Sequence, residues 1–358
     1  MWKSLKDRAE GVKEMKRMKT TEAVGQVLCH DITQIIPGVT KDAVFRKGHI
    51  IREEDIPVLL SVGKDSVYIW ENDETMMHEN DAAEVLYRMT ANEHMHPSDV
   101  KEGKIEAIAD TEGLLKVDRE KLKKVNAFGE MMIATRHGNT VVKKGDKLAG
   151  TRIIPLVIKK DKMQEAEKIC DGTPILKILP FTVKKAAIIT TGNEVYHGRI
   201  KDAFTPVIEQ KIAEFGAEMM FHEIFDDNAR KITDGCLRAI EAGADIVFCT
   251  GGMSVDPDDK TPLAIKNTGA EMISYGSPVL PGAMFLLSYY RKGDKVIPIC
   301  GLPGCAMYNR RTIFDLVLPR LMAADPVTAD ELASLGEGGL CLNCKVCTFP
   351  NCGFGKGW

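Results

Sequence analysis

The segment Ala244-Asp-Ile-Val-Phe-Cys-Thr-Gly-Gly-Met-Ser-Val-Asp-Pro-Asp-Asp259 sets an apolar run directly before paired glycines and a carboxylate cluster. The run reads as a buried parallel strand that stops at Thr250. Gly251 and Gly252 allow a tight turn whose amides can approach an anion, with Ser254 beside them. Asp256, Asp258 and Asp259 follow at once. An anion cradle beside carboxylates calls for a divalent cation between them, so the spacing predicts a phosphorylated ligand held with Mg²⁺.

Three further segments have the same character: Thr190-Thr-Gly-Asn-Glu-Val195, Asp226-Asp227-Asn228 and Gly301-Leu-Pro-Gly-Cys305. Each alone has an ordinary reading, as a turn, a helix cap or a connector. Four of them at one edge of one sheet point to a site. Gly301–Cys305 is expected to close a strand and open a helix, where amides and the helix dipole would hold a phosphate. A thiolate at Cys305 would be stabilised at such a terminus.

The second cluster is Cys341-Leu-Asn-Cys344-Lys-Val-Cys347-Thr-Phe-Pro-Asn-Cys352. Thiols at this spacing converge on one metal centre, either a [4Fe–4S] cluster or Zn²⁺. Few core-forming residues follow Gly336, so the tail is expected to need the metal to fold. Other polar or sulfur-bearing residues attract less interest. His94 and His96 read as solvated, Cys249 and Cys300 as small core residues, and the methionines as core filler.

The elements that must position these groups divide the chain into four. Residues 1–20 form a basic stretch read as a solvated helix, and 21–180 a β-rich region with a few helices. Residues 181–325 form an α/β domain, and 326–358 the cysteine tail. In the α/β domain, strands at 186–190, 217–225 and 246–250 alternate with helices at 202–215, 228–242 and 260–267. A hairpin spans 283–299 and a last helix 306–323. Such alternation predicts a mostly parallel sheet with helices on both faces and ligands beyond its carboxyl edge.

The motifs T-T-G-N-E-V, D-D-N, T-G-G-M-S-V-D-P-D-D and G-L-P-G, in this order, resemble the molybdopterin-binding domain of molybdenum cofactor biosynthesis proteins. The nearest likeness is to the molybdopterin molybdenumtransferases, the MoeA and gephyrin E-domain type. The resemblance implies that Glu194, Asp227, Asp258 and Asp259 handle Mg²⁺ and the oxyanion. It also implies that Thr191, Gly192, Thr250, Gly251, Gly252 and Ser254 meet the pterin phosphate. Gly301, Pro303, Gly304 and Cys305 would form a second anion-facing turn. The implied ligands are molybdopterin or its adenylylated form, with molybdate or tungstate as the metal source. Cys305 stands where the family has Asn, and no S-A-M-D-G-like segment is present. These departures leave three readings: metal insertion, a non-catalytic cofactor carrier or redox-sensing regulator that docks on a molybdoenzyme, and a CinA-like nucleotide pyrophosphatase. Relatives of this kind imply a homo-oligomer.

Composition narrows the class. The 358 residues are 44% hydrophobic and 28% charged, with a net charge of −3, which offers no electrostatic case for nucleic acid or an acidic membrane. No apolar run reaches a membrane span and no signal core opens the chain, so a cytoplasmic setting is expected. There the ten cysteines would stay reduced.

Overall fold

A computed structural model describes residues 16–36, 40–69, 73–254, 256–257 and 259–357. Six strands make one sheet: β1 (Lys185–Thr191), β2 (Glu218–Phe225), β3 (Ile246–Thr250), β4 (Glu271–Tyr275), β5 (Leu286–Lys292) and β6 (Lys295–Leu302). Their spatial order is β2-β1-β3-β6-β5-β4. The first four run parallel and the last two pairings are antiparallel. The mixed α/β class matches the sequence expectation.

Period-two alternation explains the burial of this sheet on both faces. Ala186 and Ile188 of β1 enter one core layer with Ile246 and Phe248 of β3. Ala187 and Ile189 enter the opposite layer with Val247 and Cys249. The first layer is closed by α2 (Phe204–Ala213) and α5 (Ile313–Met322), which bury Ile208, Ile212, Phe314 and Val317. The rings of Phe248 and Phe314 meet edge to face at 5.3 Å. The second layer is closed by α3 (Ala229–Glu241) and α4 (Thr261–Asn267). On α3 the buried residues Ile232, Cys236, Ala239 and Ile240 keep helical spacing. Asn228 caps α3, accepting the Arg230 and Lys231 amides at 3.0 and 3.2 Å, a contact worth about 0.5–2 kcal/mol. The same residue thereby ends the turn after β2. A short helix, α1 (Asn193–Tyr196), follows β1.

The N-terminal region holds two cores of its own. Leu28, Ile32, Leu59, Val67 and Ile69 form the first. The second is built on helix Glu79–Thr90 and two sheets of four and three strands between residues 95 and 179. Among the described residues no helix is long and apolar enough to cross a membrane.

Two expectations need correction. Residues 1–15 lie outside the described residues, but Arg17–Lys19 is a strand rather than helix. It pairs antiparallel with Ser66–Tyr68, and Met18 packs on the small core, so tertiary pairing overrides the local pattern. The last helix starts at Ile313, not near 306. Gly304–Ala306 makes only a 3₁₀ turn, and Thr312 caps α5 in a capping box with Asp315. The tail also packs on the α/β domain. Phe354 is 5% exposed in the first core layer, and Leu280 and Gly339 bond through their backbones at 2.9 Å. The strand β4 was not foreseen, because its five residues lack a clear alternation.

Candidate ligand-binding edge

Strand register brings four strand ends level. Thr191 pairs with Phe225, Thr190 with Thr250, and Thr250 with Leu302. The segments 192–194, 226–228, 251–254 and 303–305 therefore leave the same carboxyl edge of the sheet. That is where parallel α/β sheets take their ligands.

The turn after β3 is packed against the end of β1. A Cβ on Gly251 would lie 2.1 Å from the Thr191 carbonyl oxygen, and its φ is +81°. Only glycine fits there. The Thr191 hydroxyl donates to the Thr250 carbonyl at 3.1 Å, and the Thr261 hydroxyl donates to the Gly251 carbonyl at 2.8 Å. From the end of β4, the Tyr275 hydroxyl donates to the Met253 carbonyl at 3.1 Å. The turn is thus clasped from three elements.

Two oxygens at this edge stand out. Thr250 Oγ1 and Asp226 Oδ1 are buried with no hydrogen-bond partner among the described residues. An unpaired buried polar atom costs about 1–3 kcal/mol. Two of them, at strand ends on either side of β1, are places that a ligand, ion or water can complete.

The carboxylates occupy the rim. Asp227 accepts the Asn193 amide at 3.1 Å, tying the turn after β2 to the turn after β1. The Glu194 carboxylate folds over Gly192, with both oxygens 3.0 Å from where a Cβ there would lie. Asp226 pairs with Lys231 at 2.7 Å. Asp259 accepts the Asp256 amide at 3.0 Å, while Asp258 lies outside the described residues. Among the described residues no three His, Cys, Asp or Glu side chains gather to hold a metal ion.

Residues 187–323 match the family model described as "Probable molybdopterin binding domain". The match spans the α/β unit from β1 to α5, less than half of the chain. Residues 17–71 match a second model, described as "Domain of unknown function (DUF8806)". A putative competence-damage inducible protein of Bacillus velezensis is 32% identical over 85 residues, 24% of this chain and 20% of that protein. Its namesake in Bacillus cereus is 30% identical over 129 residues, 36% of this chain and 30% of that one. The chain thus spans under a third of these relatives. The crystal structure of the tungsten cofactor synthesizing protein MoaB from Pyrococcus furiosus aligns at 20% identity and TM-score 0.32, covering 39% of this chain and 89% of that one.

Within the molybdopterin-binding domain, not every expected residue faces the edge. Gly301 lies inside β6, paired with Cys249 and Leu286. A Cβ on it would lie 2.5 Å from Met253 Cε, so its role is close packing. Pro303 is buried and Gly304 exposed. With α5 starting at Ile313, this turn does not open that helix. Burial pushes the Cys305 thiol up, the reverse of a stabilised thiolate.

Sequence reasoning missed a polar cluster under the same edge. The Thr190 and Thr205 hydroxyls donate to Asp202 Oδ2 at 2.8 and 2.5 Å, and His222 Nε2 lies 3.4 Å from that oxygen. Asp202 Oδ1 accepts the Phe204 and Thr205 amides at the start of α2. Burial opposes ionisation of Asp202, but these hydrogen bonds outweigh it and hold its carboxyl below the usual range. In sequence Asp202 only opens the helix expected at 202–215, and His222 falls within the strand expected at 217–225. Neither carried a motif.

Away from the edge, a cavity of about 810 Å³ is lined by Lys116, Arg119, Phe215, Arg320 and Phe354, among others. None of its walls belongs to the four turns, so its size does not make it the site. The four tail cysteines line a different cavity of about 260 Å³.

Proposed function

We propose that the carboxyl edge of the α/β domain binds molybdopterin through its phosphate, as a step in molybdenum or tungsten cofactor biosynthesis. The observation that carries this reading is the pair of buried unpartnered oxygens, Thr250 Oγ1 and Asp226 Oδ1, beside a turn that excludes any Cβ at Gly251. The family match over residues 187–323 supports the ligand class. Gly251, Gly252 and Ser254 would present the turn to the phosphate, and Thr250 would bond it from beneath. The Asn193–Asp227 contact holds two of the turns in register for the pterin.

Mg²⁺ fits the donor set. It takes oxygen ligands from one or two carboxylates and completes its shell with phosphate and water, so it needs no cluster of three side chains. One or two of Glu194, Asp226 and Asp227 would hold it, with Asp259 at the rim. When bound it would shield the charge between phosphate and molybdate. The residues themselves orient the two anions, and Lys231 neutralises Asp226 until the ion arrives.

Protein purified anaerobically, then denatured and oxidised, is expected to release close to one fluorescent pterin per chain. Thr250→Val tests the carrying observation. It removes an unpaired hydroxyl, so the thermal midpoint of the empty protein should hold or rise. Pterin retention should fall about tenfold, the loss of one hydrogen bond to a charged group. Unchanged retention, or no uptake of added molybdopterin by the unsubstituted chain, would overturn the reading. Turnover of adenylylated molybdopterin with molybdate separates insertion from carriage. A second reading is the CinA-like nucleotide pyrophosphatase, in keeping with the likeness to competence-damage inducible proteins. Hydrolysis of a nucleotide pyrophosphate bond by pterin-free protein would establish it.

A further inference from the structure

We infer that the C-terminal tail is the socket of a thiolate-ligated [4Fe–4S] cluster, fastened to the turn that follows β6. The inference rests on the tail alone and does not depend on the ligand proposed for the sheet edge.

Cys341, Cys344, Cys347 and Cys352 all line one cavity of about 260 Å³. All four are free thiols, with Cys344 and Cys347 exposed and the outer two half-buried. The ends of the loop are anchored without any metal. The Cys341 amide donates to the Leu280 carbonyl at 2.8 Å, and Phe354, two residues past Cys352, is buried in the domain core. The middle is held by arginine. Arg310 Nη1 donates to the Lys345 carbonyl at 3.2 Å, between Cys344 and Cys347, and Arg311 stacks 4.8 Å over the Phe349 ring. The socket is therefore a fixed rim carrying four sulfurs.

Charge agrees with this use. Four thiolates leave a net negative centre around either iron–sulfur or zinc, and Arg310 and Arg311 both line the same cavity. Each thiol gives up its proton to solvent on ligation.

Spacing favours the cluster over zinc, although among the described residues no three metal-ligating side chains are gathered as a site. Cys341, Cys344 and Cys347 form a close C-x₂-C-x₂-C run of the kind iron–sulfur proteins use, and Cys352 supplies the fourth thiolate, one iron for each cysteine. The sequence C-x₂-C-x₂-C-x₄-C supplies the four ligands from one loop.

The socket also touches the candidate edge. Asn309 lines the cavity, and its backbone and side-chain amides both donate to the Cys305 carbonyl, at 3.0 and 3.2 Å. Loading the cluster is thus expected to steady the turn at 303–305.

The full chain is purified anaerobically and, where iron is short, reconstituted with ferrous iron and sulfide under reducing conditions. About four iron and four acid-labile sulfide per chain are expected, with broad absorption near 400 nm. Cys344→Ser and Cys347→Ser each alter an exposed residue. They should keep the melting temperature of the metal-free chain and lose more than half of the bound iron. Zinc at one per chain without sulfide would overturn the cluster, as would failure to retain iron after reconstitution. Full iron retention in both variants would overturn the ligand assignment. Iron and sulfide are read separately from released pterin, so either proposal can fail alone.

Discussion

At the scale of single residues, the candidate edge separates glycines that must be glycine from glycines that need not be. Gly251 combines a φ of +81° with a projected Cβ 2.1 Å from the Thr191 carbonyl oxygen. Gly304, in the other turn expected to face an anion, has open space around its projected Cβ and no positive φ. Gly251→Ala is therefore expected to cost about 1–3 kcal/mol, because the β1 and β3 turns must part. The same parting misplaces Thr250 and Ser254, so pterin retention should collapse. Gly304→Ala should stay within about 0.5 kcal/mol of the unsubstituted protein. Urea midpoints for the two variants, read beside pterin content, check the contrast. Equal effects would show that the 251 turn can move at no cost. The sequence marks both glycines alike, and only the backbone path tells them apart.

At the scale of elements, the parallel strands were legible because burial on both faces leaves nearly unbroken apolar runs such as Ala186–Ile189 and Ile246–Cys249. The four turns were legible because each carries a motif. The helix after β6 was expected from about 306, but Thr312 and Asp315 form the capping box that sets its start at Ile313. The cluster under the edge was invisible, since Thr190, Asp202, Thr205 and His222 come from separate elements and converge only in the fold. Asp202 gives that cluster a testable pH signature. Its carboxyl is held below the unfolded value of about 3.9. A depressed pKa means the unfolded chain binds the proton first as the medium turns acid. The stabilisation is thus complete above about pH 4 and disappears as pH falls through the lower folded value. Asp202→Asn should lower stability by about 1–2 kcal/mol at pH 6, where charge-assisted hydrogen bonds are lost. The gap between variant and unsubstituted protein should close below about pH 4, read from urea midpoints at each pH. A gap independent of pH would mean that shape, not charge, holds the start of α2.

At the scale of the whole molecule, Asp325 is one of the contacts that join the N-terminal region to the α/β domain and the tail. Lys116, from the β-rich region, reaches it at 2.8 Å, and Arg320 of α5 reaches it from the other side at 2.5 Å. Arg320 also pairs with Glu331 at 2.8 Å, and its side chain is 7% exposed. Beside this group the Tyr289 hydroxyl accepts the Val327 amide at 2.7 Å, and burial pushes that phenol up to about 12. One guanidinium therefore offsets two carboxylates where α5 ends and the tail begins. Removing it leaves Asp325 and Glu331 as neighbouring like charges, with only Lys116 in compensation. Breaking a buried pair in this way costs about 3–5 kcal/mol, and partial exposure of Glu331 places this case at the low end, about 3 kcal/mol. Arg320→Ala should therefore lower the urea midpoint clearly. The double variant Arg320→Ala, Asp325→Ala should recover part of that loss, since it removes one of the stranded charges. Recovery would identify the guanidinium as the charge that lets the tail lie against α5. No recovery would mean that Arg320 acts mainly through its packed stem and its bond to the Pro326 carbonyl.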